Sequence, residues 1–379
     1  MSVRHIESVR ALADNRYLVT GYDAALQLLA DRRMSNDPAN GADRHADIAA
    51  QPAATQRHST SMQMCDGARH TRLRRAVAPT LTPRRYDDPV ERMRGRATGL
   101  LDALLARGGG DQVAEFVLPL VFSVICDLLG VPDDDRDRVL GWAEASTMPD
   151  PEVSEPGTAA LDTYLAALLA TKAEQPTDDL SSELAASRAA GKLSDAEAVG
   201  TAALMIVAGY ETTVSFVSMS VFTLLMAPRL QCALARRPES LPAAVEELFR
   251  YLTPTQGTWT RFALDDVPIG DVVIPAGSAV VVDLVAANRD PDRFDHPDRL
   301  DPARADTKHL AFGHGPHYCP GATLARKQAQ VLLGVLLPRL SELRLAVPVT
   351  DVRWHRNRFS KRPGALPTTV LDSRPEAIA

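Results

Sequence analysis

The chain has 379 residues, 45% of them hydrophobic, with Lys+Arg 42 against Asp+Glu 48 and a net charge of -6. That balance suits a soluble globular protein with a sizeable core, excludes disorder as the dominant state, and provides no basic excess to hold the whole chain on nucleic acid. The N-terminus lacks an apolar stretch of signal-peptide or anchor length, so a cytoplasmic protein is expected. Four scattered cysteines without a C-x-x-C pair argue against a zinc cluster or a disulfide framework.

Helical patterns dominate the chain. A short strand is expected at Arg16 to Thr20 and a helix around Asp23 to Ala30; residues 35–66 are polar and irregular, a long loop of the kind that is functional or disordered. Helices follow at Ala68 to Ala78, Asp88 to Arg107 and Glu115 to Leu129, then near Asp134–Thr147 and Thr158–Glu174. Three prolines within MPDPEVSEPG predict an irregular segment between the last two. The longest helix opens on the capping box Ser194-Asp195-Ala196-Glu197 and runs to Ala227, before Pro228. At 1.5 Å per residue it reaches roughly 50 Å, enough to cross a domain of this size. A helix at about Pro242 to Leu252 precedes strand signals at Arg261–Leu264, Val272–Ile274 and Ala279–Val285, and a last helix runs from about Pro320 to Leu337. No linker composition divides the chain, so one mostly helical domain over residues 1–379 with small sheets is expected.

The chemistry centres on Cys319 in Phe312-Gly313-His314-Gly315-Pro316-His317-Tyr318-Cys319-Pro320-Gly321. Glycines at 313, 315 and 321 let the backbone bend tightly against a flat partner. The cysteine stands at the start of a helix, where free amides and the positive helix end favour thiolate over thiol. A thiolate without a second cysteine suits a metal needing one protein ligand, and haem iron, with four positions filled by its porphyrin, fits. A core cysteine at a helix start is the competing reading, but the complete F-x-x-G-x-[HR]-x-C-x-G spacing makes chance the minor option.

With this loop the chain resembles the cytochrome P450 family, and the resemblance runs from about residue 16 to the C-terminus. Glu247-Leu248-Phe249-Arg250 matches the family's E-x-x-R, and Arg299 in Pro297-Asp298-Arg299-Leu300 matches the arginine that completes its buried Glu–Arg–Arg cluster. Leu300 departs from the aromatic more usual there. Ala208-Gly209-Tyr210-Glu211-Thr212-Thr213 on the long helix is similar to the oxygen-activation segment. Mid-helix Gly209 and the Thr212 hydroxyl permit a local widening, and Glu211 and Thr212 would supply the acid and the alcohol of proton delivery. The segment His70-Thr71-Arg72-Leu73-Arg74 resembles one whose His and Arg bind haem propionates, and Arg261 and His317 match two further propionate contacts.

The resemblance implies a mainly α triangular-prism fold with haem b between the long distal helix and the proximal cysteine helix, Phe312 and Cys319 on the cysteine side. The implied reaction is hydroxylation or epoxidation by one atom of dioxygen. The implied substrate is a small hydrophobic molecule, expected to be a secondary-metabolite intermediate. Oxidative coupling without oxygen transfer is the alternative, with a peroxide-using enzyme or a haem sensor less favoured. Substrate contacts are expected from the 51–66 loop, a lid at 147–158, Val207 and Ala208, Thr255–Trp259 and Arg358–Lys361. Arg69, Arg72, Arg75, Arg84 and Arg85 would steer an acidic ferredoxin, with a separate ferredoxin reductase passing electrons from NAD(P)H to a monomeric enzyme that has no room for a fused reductase.

Overall fold

The computed structural model describes residues 8–41, 60–357 and 360–371. Helices carry the architecture. In chain order they are α1 (Tyr22–Ala30), α2 (Gly67–Val77), α3 (Pro83–Ala106), α4 (Leu118–Leu129), α5 (Arg136–Thr147), α6 (Pro151–Glu174), α7 (Leu180–Ala189), α8 (Asp195–Leu225), α9 (Pro228–Ala235), α10 (Leu241–Leu252), the short α11 (Leu284–Ala287) and α12 (Ala322–Leu336). Most lie within a few residues of their expected positions, but α7, α9 and α11 were not anticipated, and α11 begins where the strand expected over Ala279–Val285 was to continue.

Two expectations about proline are corrected. The segment MPDPEVSEPG is mostly helical, because α6 starts at Pro151 rather than near Thr158. Pro151 occupies the first helical position, where an N–H would be unpaired anyway, and the Asp150 side chain caps the turn by accepting from Glu152 N at 3.0 Å. Pro156 then lies inside the helix. Likewise α3 starts at Pro83 rather than Asp88 and takes Pro89 within its length. Pro151 and Pro83 displace no helical hydrogen bond, Pro156 and Pro89 one each, and the apolar residues downstream keep the helices docked.

The capping box of α8 forms as expected, with Ser194 Oγ accepting from Glu197 N and Glu197 Oε2 accepting from Ser194 N at 3.1 Å. Among the described residues α8 alone is long and apolar enough to cross a membrane, yet 78% of its apolar window is buried inside the fold. It is the central core helix, packed against α4, α6 and α12 and against the C-terminal strands.

Twelve short strands, β1 to β12, occur among the described residues. The largest sheet has five: β1 (Val9–Ala11), β2 (Arg16–Val19), β3 (Met34–Ser35), β5 (Arg261–Ala263) and β8 (Ala279–Val282), in the order β1-β2-β8-β5-β3. Its apolar side forms a second core with α1, apart from the main helical core. Strands β4 (Gly109–Asp111), β9 (Leu343–Leu345) and β12 (Pro367–Val370) make another sheet, and β6 (Val267–Ile269) pairs with β7 (Val272–Ile274). The pair that matters for the site is β10 (Trp354–Arg356) with β11 (Lys361–Pro363), in the register His355 opposite Arg362.

Glu247 and Arg250 are both 0% exposed, and the guanidinium grips the carboxylate at 2.8 and 2.9 Å. Arg250 also donates to the carbonyls of Asn288 and Pro297, so the ion pair is fully hydrogen-bonded and ties α10 to the segment before the cysteine loop. The third member is Arg304, whose Nε stands 3.1 Å from Glu247 Oε2, not the expected Arg299. Arg299 is exposed and contributes its backbone carbonyl, which accepts from Arg250 and Arg304. Leu300, where an aromatic was expected, packs half-buried against the helical core.

Candidate active site

The cysteine loop is shaped by its own backbone. Gly313 and Gly315 take φ of +70° and +71°, and a Cβ at Gly315 would lie 2.4 Å from the Leu29 carbonyl oxygen, so only glycine lets the loop press against α1. Cys319 N donates to Phe312 O at 2.9 Å, closing the loop. The helix that follows begins at Ala322 with Gly321 as its cap, so Pro320 lies in the turn before it rather than at its first position. Burial pushes the Cys319 thiol up, while the Gly321 N–H and the charges of Arg74 and Arg326 pull it down. Behind the loop, Arg326 lies 4.4 Å over the Phe312 ring and pairs with Glu246 at 2.7 and 2.9 Å.

Cys319 opens onto a cavity of 510 Å³ that reaches α8. Val207, Ala208, Gly209, Glu211 and Thr212 line it together with Met62, Met64, Ile125, Leu204, Met205 and Phe249. The helix stays regular through Gly209. That glycine admits α4, since a Cβ there would meet Ile125 Cδ1 at 2.7 Å. Thr212 Oγ1 donates to the Ala208 carbonyl at 2.9 Å, the competition for helical acceptors anticipated from the sequence. Glu211 is 2% exposed and is held by Ser360 Oγ, which donates to its Oε1 at 2.6 Å, with Arg362 Nε 3.5 Å from the same oxygen.

One edge of the cavity is basic. His70, Arg74, Arg261 and His317 all line it, as does Phe312, so the structure brings every predicted site residue to one cavity. His70 and His317 lie ring to ring at 4.2 Å, and His317 Nε2 is 3.1 Å from Asp66 Oδ1. Burial, then the neighbouring His317 and Arg74, lower His70 to about 4, so it is neutral at pH 7. Burial would raise Asp66, but His317, Ser35 Oγ and the Asn36 N–H hold it down at about 2. Arg261 is 5% exposed, and among the described residues its only hydrogen bond is a long 3.4 Å one to the Leu29 carbonyl. Burial lowers it to about 10, still charged at pH 7. Among the described residues no carboxylate pairs with Arg261 or Arg74. A buried cation without a counterion is expensive. The arrangement fits a flat, dianionic group whose carboxylates reach the two arginines and whose metal meets Cys319, which is the description of haem.

The family profile of cytochrome P450 matches residues 239–352. Cytochrome P450 107B1 of Saccharopolyspora erythraea is 38% identical over 94% of this chain and 89% of its own length. The chain belongs to the cytochrome P450 family. Mycinamicin IV hydroxylase/epoxidase of Micromonospora griseorubida is also 38% identical, over 93% of this chain and 89% of the relative. The structure of the putative thioether synthase SgvP, involved in griseoviridin tailoring, superposes with a TM-score of 0.87 at 37% identity, covering 97% and 94% of the two chains. The protein is therefore a P450 monooxygenase that binds haem b, acts on a small molecule and takes electrons from redox partners.

Several P450 expectations are refined by the geometry. Residues 151–158 are helical, and none of 147–158 lines the main cavity. Thr255, Gly257, Thr258 and Trp259 do line it, although Thr258 Oγ1 also accepts from Val282 N at 3.1 Å and so has a structural task. Residues 51–59 of the expected substrate loop, with Arg358 and Phe359, lie outside the described residues. Of the five proximal arginines, Arg69 and Arg72 pair with Glu197 and Arg85 with Asp178 and Glu183. Arg75 and Arg84 are exposed and, among the described residues, have no carboxylate partner. Ser360 falls in the expected 358–361 substrate segment but reaches Glu211 instead, and Arg362, two residues on, was not anticipated; both come from some 150 residues away and belong to no motif.

Proposed function

We propose that this P450, a single domain over residues 1–379, hydroxylates or epoxidises a hydrophobic secondary-metabolite intermediate. The observation that carries this reading is the single cavity in which Cys319 and the basic cluster share an apolar chamber with Glu211 and Thr212. When bound, haem supplies the thiolate-ligated iron at which dioxygen is activated. Cys319 would be the residue that holds its iron, with the Gly321 N–H and the charges of Arg74 and Arg326 favouring the thiolate. Arg74 and Arg261 would hold the propionates, with His70 and His317 beside them, and Phe312 would pack the cysteine face. The wall of Met62, Met64, Ile125, Leu204 and Phe249 excludes water and orients an apolar substrate by shape. Glu211 holds a proton at its carboxyl, and Thr212 passes one at Oγ1 by giving up its bond to Ala208 O.

Electrons come, in this reading, from a ferredoxin and its reductase, with Arg75 and Arg84, unpaired among the described residues, on the docking face, and the enzyme works as a cytoplasmic monomer. Reduction under carbon monoxide gives the strongly red-shifted Soret band of thiolate-bound ferrous haem, and Cys319→Ala abolishes it. An unchanged spectrum in that variant would overturn the assignment. The likeness to SgvP favours one second reading, oxidative bond formation without net oxygen transfer. Compounds that shift the resting spectrum identify the substrate class, and turnover under labelled dioxygen separates the two readings: label in the product supports insertion, its absence coupling.

A further inference from the structure

The chamber beside Thr212 carries sulfur beyond that of Cys319. The chain has nine methionines, and three of them, Met62, Met64 and Met205, line the cavity onto which Cys319 opens. Met205 lies three residues before Ala208 and seven before Thr212, so it shares their face of α8. Met62 and Met64 come from a 3₁₀ turn before α2, capped by Ser61 Oγ, which accepts from Gln63 N at 3.4 Å. Two separate elements thus turn thioethers to one space. The other described methionines lie elsewhere. Met34 belongs to the second core, Met93 is sealed in α3 at 0% exposure, and Met148 lines a separate, smaller cavity. Met219 is about 21 Å further along α8 than Met205 at 1.5 Å per residue. Met226, at 44% exposure, is the one most open to bulk solvent among the described residues.

Packing alone does not ask for sulfur here. Leucine or isoleucine fills a fixed apolar wall, as Ile125 and Leu204 do in the same chamber. Methionine differs from them in one reaction that matters at such a place: its thioether takes an oxygen atom from a peroxide. Dioxygen that collects two electrons and two protons in this chamber, with no substrate oxidised, leaves as hydrogen peroxide. The cysteine sulfurs nearby are unequal targets. Cys65 is buried, donates to the Ser61 carbonyl at 3.4 Å and has its thiol pushed up to about 11 by burial, so it offers little thiolate to react. Cys319 is the sulfur whose loss is final, because oxidation of a cysteine past the sulfenic acid is irreversible.

We propose that Met62, Met64 and Met205 form a sacrificial oxidation site, which takes up hydrogen peroxide made in the chamber before it reaches Cys319. In each event the thioether sulfur forms an S–O bond as the peroxide O–O bond breaks. The sulfide becomes a sulfoxide, oxidised by two electrons, and the peroxide, reduced by the same two, leaves as water with both its protons. The sulfoxide is polar, so a wall that has been hit also loosens its hold on an apolar molecule.

This rests on the reading of the chamber as the place where dioxygen is reduced. The haem-loaded enzyme is supplied with NAD(P)H, ferredoxin and ferredoxin reductase but no substrate, with catalase present to destroy escaped peroxide, and its peptides are then weighed. One added oxygen should appear on Met62, Met64 and Met205 about tenfold faster than on Met226, despite the exposure of Met226, while Met93 stays unoxidised. Omitting NAD(P)H should abolish the labelling. Combining Met62→Leu, Met64→Leu and Met205→Leu keeps the volume of the wall and removes its sulfur. In that variant, fed with electrons and no substrate, the red-shifted carbon monoxide band should fade about threefold faster, with the added oxygen found on Cys319 instead. Oxidation of Met226 ahead of the chamber methionines, labelling without NAD(P)H, chamber methionines left intact while NAD(P)H is consumed, or an unchanged fading rate in the leucine variant would overturn the proposal. A parent enzyme that neither consumes NAD(P)H nor shows the red-shifted band would instead overturn the haem reading beneath it.

Discussion

Arg304 Nε lies 3.1 Å from Oε2 of Glu247, and through that contact the segment before the cysteine loop closes on α10. Glu247 is wholly buried and accepts from Arg250, Arg304 and the Asp301 N–H, so losing one cation leaves charge uncompensated in the interior. Arg304→Gln is expected to cost about 3 kcal/mol in urea unfolding and to weaken retention of haem. Arg299→Ala, which keeps the backbone carbonyl that matters, should stay within about 0.5 kcal/mol of the parent. Equal losses in the two variants would return Arg299 to the cluster.

Arg261 carries a different kind of tension. In the protein without its cofactor this cation is buried with, among the described residues, only the Leu29 carbonyl as a hydrogen-bond partner, which destabilises the fold. Arg261→Met removes that cost and keeps the aliphatic bulk, so the haem-free protein should gain about 1 kcal/mol. The holoprotein loses a propionate partner and should bind haem at least tenfold more weakly, read by haem transfer to apomyoglobin. Opposite signs in the two measurements are the signature. A loss in both would make Arg261 an ordinary structural residue.

The fold was legible where period and punctuation agreed. The α8 capping box, the E-x-x-R spacing and the glycine-rich loop each put a local requirement directly into the letters. What escaped was tertiary. Arg299 and Arg304 are near neighbours in sequence, and only the turn at Asp301, whose N–H bonds to Glu247, decides which guanidinium reaches the carboxylate. Arg362 reaches Glu211 from β11 and Ser360 from the residue just before that strand, and no spacing rule connects residue 211 with 360 or 362. The prolines of α6 misled for a related reason, since packing of a helix against α5 offsets a local penalty that sequence alone shows uncompensated.

That penalty remains in the protein. Pro156 has no N–H to offer the Glu152 carbonyl one turn earlier, and it is exposed. Pro156→Ala restores the bond and should raise stability by about 1 to 3 kcal/mol, measured as a higher urea midpoint with an unchanged slope. The adjacent Gly157→Ala should do the reverse, because its Cβ would lie 2.5 Å from the Ala145 Cβ where α5 and α6 touch. If Pro156→Ala is neutral, the kink it imposes is itself part of the packing.

Glu197 joins the start of α8 to α2. Its carboxylate accepts from Arg72 at 2.7 and 2.9 Å and from the Ser194 N–H at 3.1 Å, and these bonds, with Arg72 foremost, hold it at about 2. A carboxyl lowered on folding stabilises the native state fully above its unfolded value, near 4.3, and the contribution fades as pH falls through that value towards 2. Glu197→Gln should therefore cost about 2 kcal/mol at pH 7, from the lost charge-assisted bonds and the weakened capping box. Across pH 5 to 3 the gap between parent and variant should narrow, because the parent alone loses this term. High salt should shrink the gap only in part, since Glu197 is largely buried although Arg72 is not. Unfolding curves of both proteins over that range decide the matter, and a gap independent of pH would mean that the hydrogen-bonded cap, rather than the charge, secures the helix start.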